Sequence, residues 1–561
     1  MRTKLFAVLV TIPLILSAVV SPSSAAGTNY LEGIQLSDER WLVLASEQTR
    51  AGVHSMLALQ PGAVDVGGTR GDWIQCTGAD DPVCSTPEAL KSILAWSLIP
   101  SCEEKTDDVC IESLKLGMST SELVDASYLG EERQRQDFAA SSSANLLRGA
   151  GVPIFESPNI RHSDGGNQFA VMIKVTQFWF DSQKRFEPTM VEAEIIPFSR
   201  VSGGGASVCA FQVSNACADP AEFVKDTKVQ LTFRLPSALG GWYSGRMKDP
   251  VIEVTPISPS VNRITVASEP VEVAALGLVK DKSSFTPVEN MWVQNNGRWF
   301  TNGGTATGAN SWQDNIFPFI ENYRPHVQDR AIGTDMVWKM RTIDAGGGSG
   351  CLADKSKVLG IVTTNALGYD IGSPAFKNGY LEYNVAGLHY LPNGKDLVLG
   401  TYDLVMRSET ARCLYGFSNA PVSATVTVVG VGDQTVASTI VSERNGWLKL
   451  AAYGFTFSEK EIQVKIAQPQ SRNLPKFTGT RVTLSNSQKN AIWSFSRGAL
   501  NNQSFTCTVL YQKSSQARLA QGRANAACAE LKKLLPNGTF NSTAQQTGSK
   551  GFDGRLTLSA N

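Results

Sequence analysis

The sequence predicts a mainly β, multidomain protein built of β-sandwich, Ig-like domains and closed by a smaller α/β sandwich. Across the middle of the chain, short runs rich in Val, Ile, Thr and Tyr recur at roughly ten-residue spacing, separated by turn signals such as Asn445-Gly446. Hydrophobic residues make up 42% of the 561 residues and charged ones 18%, enough apolar material for packed cores and too little charge for a disordered chain. Beyond Gln468 the apolar period changes from that of a strand to that of a helix and back, the mark of an α/β unit. At about 150 residues per domain, the length predicts three to four domains.

Charge narrows the function classes. The 51 basic and 51 acidic residues cancel, which removes the positive footprint that a nucleic-acid binder needs. At the N-terminus, Arg2 and Lys4 precede the apolar run Leu5 to Val20 and the small residues Ser23-Ser24-Ala25-Ala26. That is the order of a secretory signal peptide, 1–26, with cleavage expected before Gly27. Its removal leaves 49 basic residues against 51 acidic. No membrane span is expected after cleavage.

Ten cysteines fit an exported protein. Cys76 and Cys84, Cys102 and Cys110, and Cys209 and Cys217 each enclose seven residues and are expected as local disulfides. Cys351 with Cys413 and Cys507 with Cys528 follow by elimination, and crossed pairing among the first four stays open. Without Cys-x-x-Cys spacing or a nearby His cluster, no metal site is expected.

Residues 27–280 read as a β-rich N-terminal domain with helical insertions. Trp41 to Leu44 is a short strand. Thr86-Pro87-Glu88 opens a helix running through Trp96, with Thr86 as N-cap and Pro87 at the first helical position. Glu131 to Asn145 is polar and Ser/Ala-rich, an exposed helix or loop. Phe169 to Phe180 is a long strand, followed by strands at Met190 to Ile196, Val229 to Leu235, Val251 to Thr255 and Arg263 to Val266. Residues 281–467 read as a β-sandwich domain, with strands at Tyr380 to Val385, Gly400 to Met406, Ala424 to Val429, Thr435 to Ser442, Trp447 to Tyr453 and Glu461 to Ile466. The Pro/Gln/Ser composition of 468–476 predicts a linker.

Residues 477–561 then read as β-α-β-α-β. Strands are expected at Arg481 to Ser485, Ser504 to Leu510 and Gly554 to Ser559, and helices at Ser487 to Leu500 and Gln516 to Leu535. The helical stretch Leu519-Ala520-Gln521-Gly522-Arg523-Ala524, followed by Leu531, resembles the motif of the OmpA-like peptidoglycan-binding domain. In that family an Arg of this helix and an Asp after the second strand hold the diaminopimelate of the wall peptide. Arg523 matches the Arg. Thr508-Val509-Leu510-Tyr511, where the Asp would lie, has no carboxylate, so part of the recognition is absent. Gly400 to Ser408 and Gly446 to Tyr453 are similar to segments of uncharacterised secreted actinobacterial cell-wall proteins, a group that lends no activity. The resemblance implies secretion or wall association, with peptidoglycan or another envelope glycan as partner.

Catalytic motifs are absent from the sequence: it has no Gly-x-Ser-x-Gly, His-Glu-x-x-His, phosphate loop or EF-hand. His162-Ser163-Asp164-Gly165-Gly166 brings base, hydroxyl and carboxylate together only as neighbours in a turn, where side chains point apart. No catalytic residue and no cofactor is nominated. Trp292, Trp299 and Trp312, set among Asn and Gly, are candidates for a sugar platform on which the flat saccharide face stacks, and Arg523 for a wall contact. The expectation is therefore a secreted, non-catalytic surface protein serving structure, adhesion or binding. The alternatives are a glycan-binding module and an extracellular hydrolase with an unrecognised site.

Overall fold

The computed structural model describes residues 39–560 except 48–53, 60–73, 91, 105–107, 133–136, 203–210, 214–215, 288, 290–297, 303–315, 344–350, 352–356, 371, 378–379, 416–422, 430–437, 458–459, 468–469, 497–498, 500–502 and 549–553. The signal segment therefore lies outside the described residues. No helix among them is long and apolar enough to cross a membrane.

The chain is predominantly β. A long hairpin, Gln168–Phe180 with Arg185–Ser202, runs antiparallel with a register shift between Pro188 and Met190. Strand Gly333–Ile343 pairs with this hairpin, with Gly241–Arg246 and with Val271–Asp281. Gly241–Arg246 in turn pairs in parallel with Val358–Thr364, which continues antiparallel to Leu399–Arg407 and Trp447–Thr456. The boundary expected at 280/281 is thus bridged by hydrogen-bonded strands. Strand Arg40–Ser46 lies antiparallel to Val271–Asp281 and parallel to Arg298–Asn302, so the start of the domain read as 27–280 is built into a sheet shared with the next.

Two cores flank this shared sheet. Trp242, Leu359, Val362, Leu404 and Met406 face one, together with Val43, Ile320, Tyr383 and Phe455. Tyr243, Val358, Ile361 and Val405 face the other, with Ile111, Phe169, Phe233 and Trp338. Successive strand residues point to opposite faces, so a strand buried on both sides must be apolar throughout. Val358–Thr364 is buried at every position. A Cβ at Gly360 would come within 2.5 Å of the Trp242 ring and 2.6 Å of the Val405 carbonyl, so only glycine lets that indole pack. The second core is closed by a five-stranded sheet in the order Lys248–Ser258, Val261–Glu269, Lys228–Pro236, Ile111–Gly117, Val124–Asp125. The first is closed by a sheet of Gly368–Tyr369, Tyr380–Ala386, Lys460–Ala467 and Ser423–Val429.

The helix expected through Trp96 ends at Leu90, although Thr86 Oγ1 caps it by accepting the Ala89 N–H at 3.1 Å. Ile93–Leu98 is instead a strand, held between Met56–Leu59 and the long hairpin. In the Glu131 to Asn145 stretch, Ser127–Glu132 is a strand paired with Val152–Glu156. At Asn445-Gly446 both residues take positive φ, 52° and 77°, the twist a two-residue hairpin turn requires.

The C-terminal unit has its own sheet, ordered Gln470–Leu474, Leu556–Ala560, Ser504–Tyr511, Thr539–Gln546, and its own core drawn from residues 474–560. Helices Asn486–Ser496 and Ala517–Leu534 pack against it. Three expectations change here. Most of the stretch read as linker is an edge strand, Gln470–Leu474, and Arg481 to Ser485 is not a strand. Ser485 instead caps the first helix, its Oγ accepting the Gln488 N–H (3.2 Å) while Gln488 Oε1 accepts the Ser485 N–H (2.9 Å). Thr539–Gln546 is an additional strand, which makes the order β-α-β-α-β-β.

Four disulfides are in place: Cys76–Cys84, Cys102–Cys110, Cys351–Cys413 and Cys507–Cys528, with Cα separations of 6.1, 5.0, 5.8 and 5.7 Å. They answer the open question among the first four cysteines in favour of local pairing. Such bonds persist in oxidising, extracellular-type surroundings. Cys209 lies outside the described residues, as does the side chain of Cys217.

Candidate functional site

On helix Ala517–Leu534, Ala520, Ala524, Ala527, Cys528 and Leu531 form one buried face, and their small side chains let the helix lie close to the sheet. Arg523 joins this face and is 4% exposed. Its Nε donates to the Arg481 carbonyl at 2.8 Å and one terminal nitrogen to the Gly479 carbonyl, while the guanidinium sits 5.0 Å from the Phe477 ring centre. Gly479 takes a φ of 61° to turn its carbonyl there. Arg523 therefore fastens the 477–481 turn to the helix, and an incoming ligand carboxylate would compete with these bonds. Tyr511, at the end of the segment without a carboxylate, packs against the core.

Of the three candidate tryptophans, Trp292 and Trp312 lie outside the described residues. Trp299 is placed by its backbone alone, in strand Arg298–Asn302 opposite Val43. No platform is assembled from described side chains at these positions.

One buried group of charges was not nominated from the sequence. Glu192 and Glu194 on the long hairpin stand opposite Arg341 and Lys339. Lys339 Nζ reaches Glu194 (3.2 Å), the Glu47 carboxylate (3.3 Å) and the Glu47 carbonyl (2.8 Å). Glu47 and Arg246 are fully buried and paired, Nε to Oε1 at 2.9 Å. Arg246 also donates to the carbonyls of Thr364 (3.1 Å), Ala366 and Leu367 (3.2 Å) and lies 4.4 Å from the Tyr369 ring centre. The Glu47 N–H donates to Asp335 Oδ2 at 2.9 Å. Burial alone would lower the Lys339 ammonium, but Glu194 and Glu47 outweigh it and hold the proton well above the usual lysine range. Its ammonium is engaged by two carboxylates and a carbonyl, as in a structural ion pair. The set is a clamp, tying strand Arg40–Ser46 to the central sheet. The signal in the sequence was the pair Glu-x-Glu and Lys-x-Arg, legible only once the register is known.

Burial holds Glu222 and Asp403 above the usual carboxylate range. Burial, reinforced by Asp335 and Glu272, pushes Glu222 up to about 7. Burial likewise pushes Asp403 up to about 6, against the Lys449 charge 3.8 Å away, the Tyr453 hydroxyl (2.6 Å) and the Asp249 N–H (3.2 Å).

In the group at 162–166, the His162 side chain is wholly buried, edge-on to Phe169, with the Asp164 carboxylate at Nδ1. Burial lowers its proton affinity, and Asp164 opposes that. Ser163 Oγ accepts the Glu222 N–H at 3.0 Å, and the Ser163 N–H donates to the Glu222 carbonyl at 2.9 Å. That hydroxyl fastens the turn to the neighbouring segment. Among the described residues, no group of three or more His, Cys, Asp or Glu could hold a metal ion. No protein-family model and no curated protein matches the chain.

Proposed function

We propose that the chain is an exported, non-catalytic envelope protein, in which a disulfide-pinned β body presents surfaces and the C-terminal unit contacts peptidoglycan or another wall glycan. The observation that carries this reading is the spread of disulfides over the body and the C-terminal unit. It is supported by the use of Lys339 and Arg246 as fastenings rather than reactive groups, and by the likeness of the Arg523 helix to a wall-binding motif. The C-terminal unit has its own sheet, core and disulfide, so it can be handled alone.

The test is sedimentation of the full mature chain, and of residues 470–561, with purified peptidoglycan sacculi. Both are expected in the pellet, with the body lacking 470–561 in the supernatant. If the full chain stays soluble, wall contact by this unit is excluded.

A further inference from the structure

Strand Thr539–Gln546 forms the outer edge of the C-terminal sheet. Its inner side pairs in parallel with Ser504–Tyr511, in the register Cys507 with Ser542 and Val509 with Ala544. Thr539 donates its N–H to the Gln503 carbonyl (3.1 Å) and Thr547 to the Tyr511 carbonyl (2.8 Å), so odd-numbered residues bond toward the sheet. The backbone groups of Phe540, Ser542, Ala544 and Gln546 then point outward, because alternate residues of a parallel strand serve opposite sides. Among the described residues no strand pairs with that side.

Gln521 reaches it from helix Ala517–Leu534. Its Nε2 donates to the Ser542 carbonyl at 2.9 Å, and the Ala544 N–H donates to its Oε1 at 3.2 Å. A carbonyl at one residue and an N–H two residues on are the two groups that a single residue of an added parallel strand would engage. The carboxamide thus takes the place of one residue of a missing fifth strand.

The strand, Thr-Phe-Asn-Ser-Thr-Ala-Gln-Gln, carries no charge and no proline, the two devices that usually blunt an edge. Edge strand Lys248–Ser258, by contrast, carries Lys248, Asp249, Pro250, Glu253 and Pro256. We propose that Gln521 is an edge guard, and that the occupant it excludes is the same strand of a second copy of this chain. An uncharged strand meets its own copy without like-charge repulsion, and a two-fold antiparallel pair would join the two sheets into one. This holds independently of wall binding.

The experiment is sedimentation equilibrium on the full mature chain. The wild type is expected to be monomeric. Gln521→Leu, which keeps the bulk and removes both bonds to the strand along with the one to Asn525 Oδ1 (3.0 Å), is expected to self-associate about tenfold or more tightly, in line with the two competing hydrogen bonds lost at the edge. The double variant Q521L/N541K, with a charge on the exposed face of the same strand, is expected to return to monomer. A folded Gln521→Leu chain that stays monomeric overturns the proposal, as does a wild type already dimeric through this edge. If Gln521→Leu fails to fold, Gln521→Met, which keeps the length and carries no charge and no amide, decides by the same readout.

Discussion

The body, 40–467, and the C-terminal unit, 470–561, solve the same problem in opposite ways. In the C-terminal unit the core and all four strands come from one stretch of about ninety residues, and the fastenings are local: a disulfide, a helix cap and Arg523 on a turn. In the body, strands from distant parts of the chain share one sheet, and its centre holds a buried charge clamp. A self-contained unit can unfold and be moved alone. An interlocked body stands or falls as a whole, because removing one strand opens both cores.

The sharpest way to break the comparison is Arg246→Met. It leaves Glu47 buried with Lys339 as its remaining ion-pair partner and strips three carbonyls of their donor, so the body should lose about 3–5 kcal/mol while the C-terminal transition stays in place. Calorimetry on the full chain checks this by showing whether one transition moves or both. Replacing Cys351 and Cys413 by Ser removes a cross-link between residues 62 apart and should destabilise the body by about 4 kcal/mol. For Cys76 and Cys84, 8 apart, the loss should be about 2.5 kcal/mol, read from urea midpoints of the two double variants.

Asp403 supplies a pH test. Its folded pKa, about 6, lies above the ordinary aspartate value of 3.8, so the folded state holds the proton more tightly than the unfolded chain does. Stability from this group is present below about pH 4 and is lost as pH rises through 6, a change of about 3 kcal/mol. Asp403→Asn should flatten that slope in urea titrations between these pH values, and leave the slope of the isolated C-terminal unit unchanged. The smallest expected effect is that of Arg523→Lys, which keeps the charge but loses the fork that spans two carbonyls. It should lower the midpoint of the C-terminal transition alone, by about 2 kcal/mol.

Legibility in the sequence follows the same divide. The helix around Arg523 and the strand at Ser504 could be read directly, since partners close in sequence leave their period in one window, whereas Cys507–Cys528 came only by elimination. Ile93–Leu98 reads as a helix continuation because its β pairing is made with residues near 57 and 175, far outside any window. Likewise, nothing near Lys280 announces that Gly333–Ile343 returns to pair with Val271–Asp281. The role of Arg523 escaped because its acceptors are backbone carbonyls, which every residue has. The Glu47 clamp escaped because its members come from four segments.

Strand Arg40–Ser46 also sets a schedule. Its two neighbours, Val271–Asp281 and Arg298–Asn302, emerge more than 200 residues later in the chain. At a synthesis rate of roughly 5–20 residues per second, the strand waits on the order of ten seconds or more for either partner. During that interval Leu42, Val43 and Leu44, buried in the finished fold, have no place to go. A holding chaperone that keeps this stretch covered would therefore act on the first strand among the described residues, and hold it until residues 271–302 have been made.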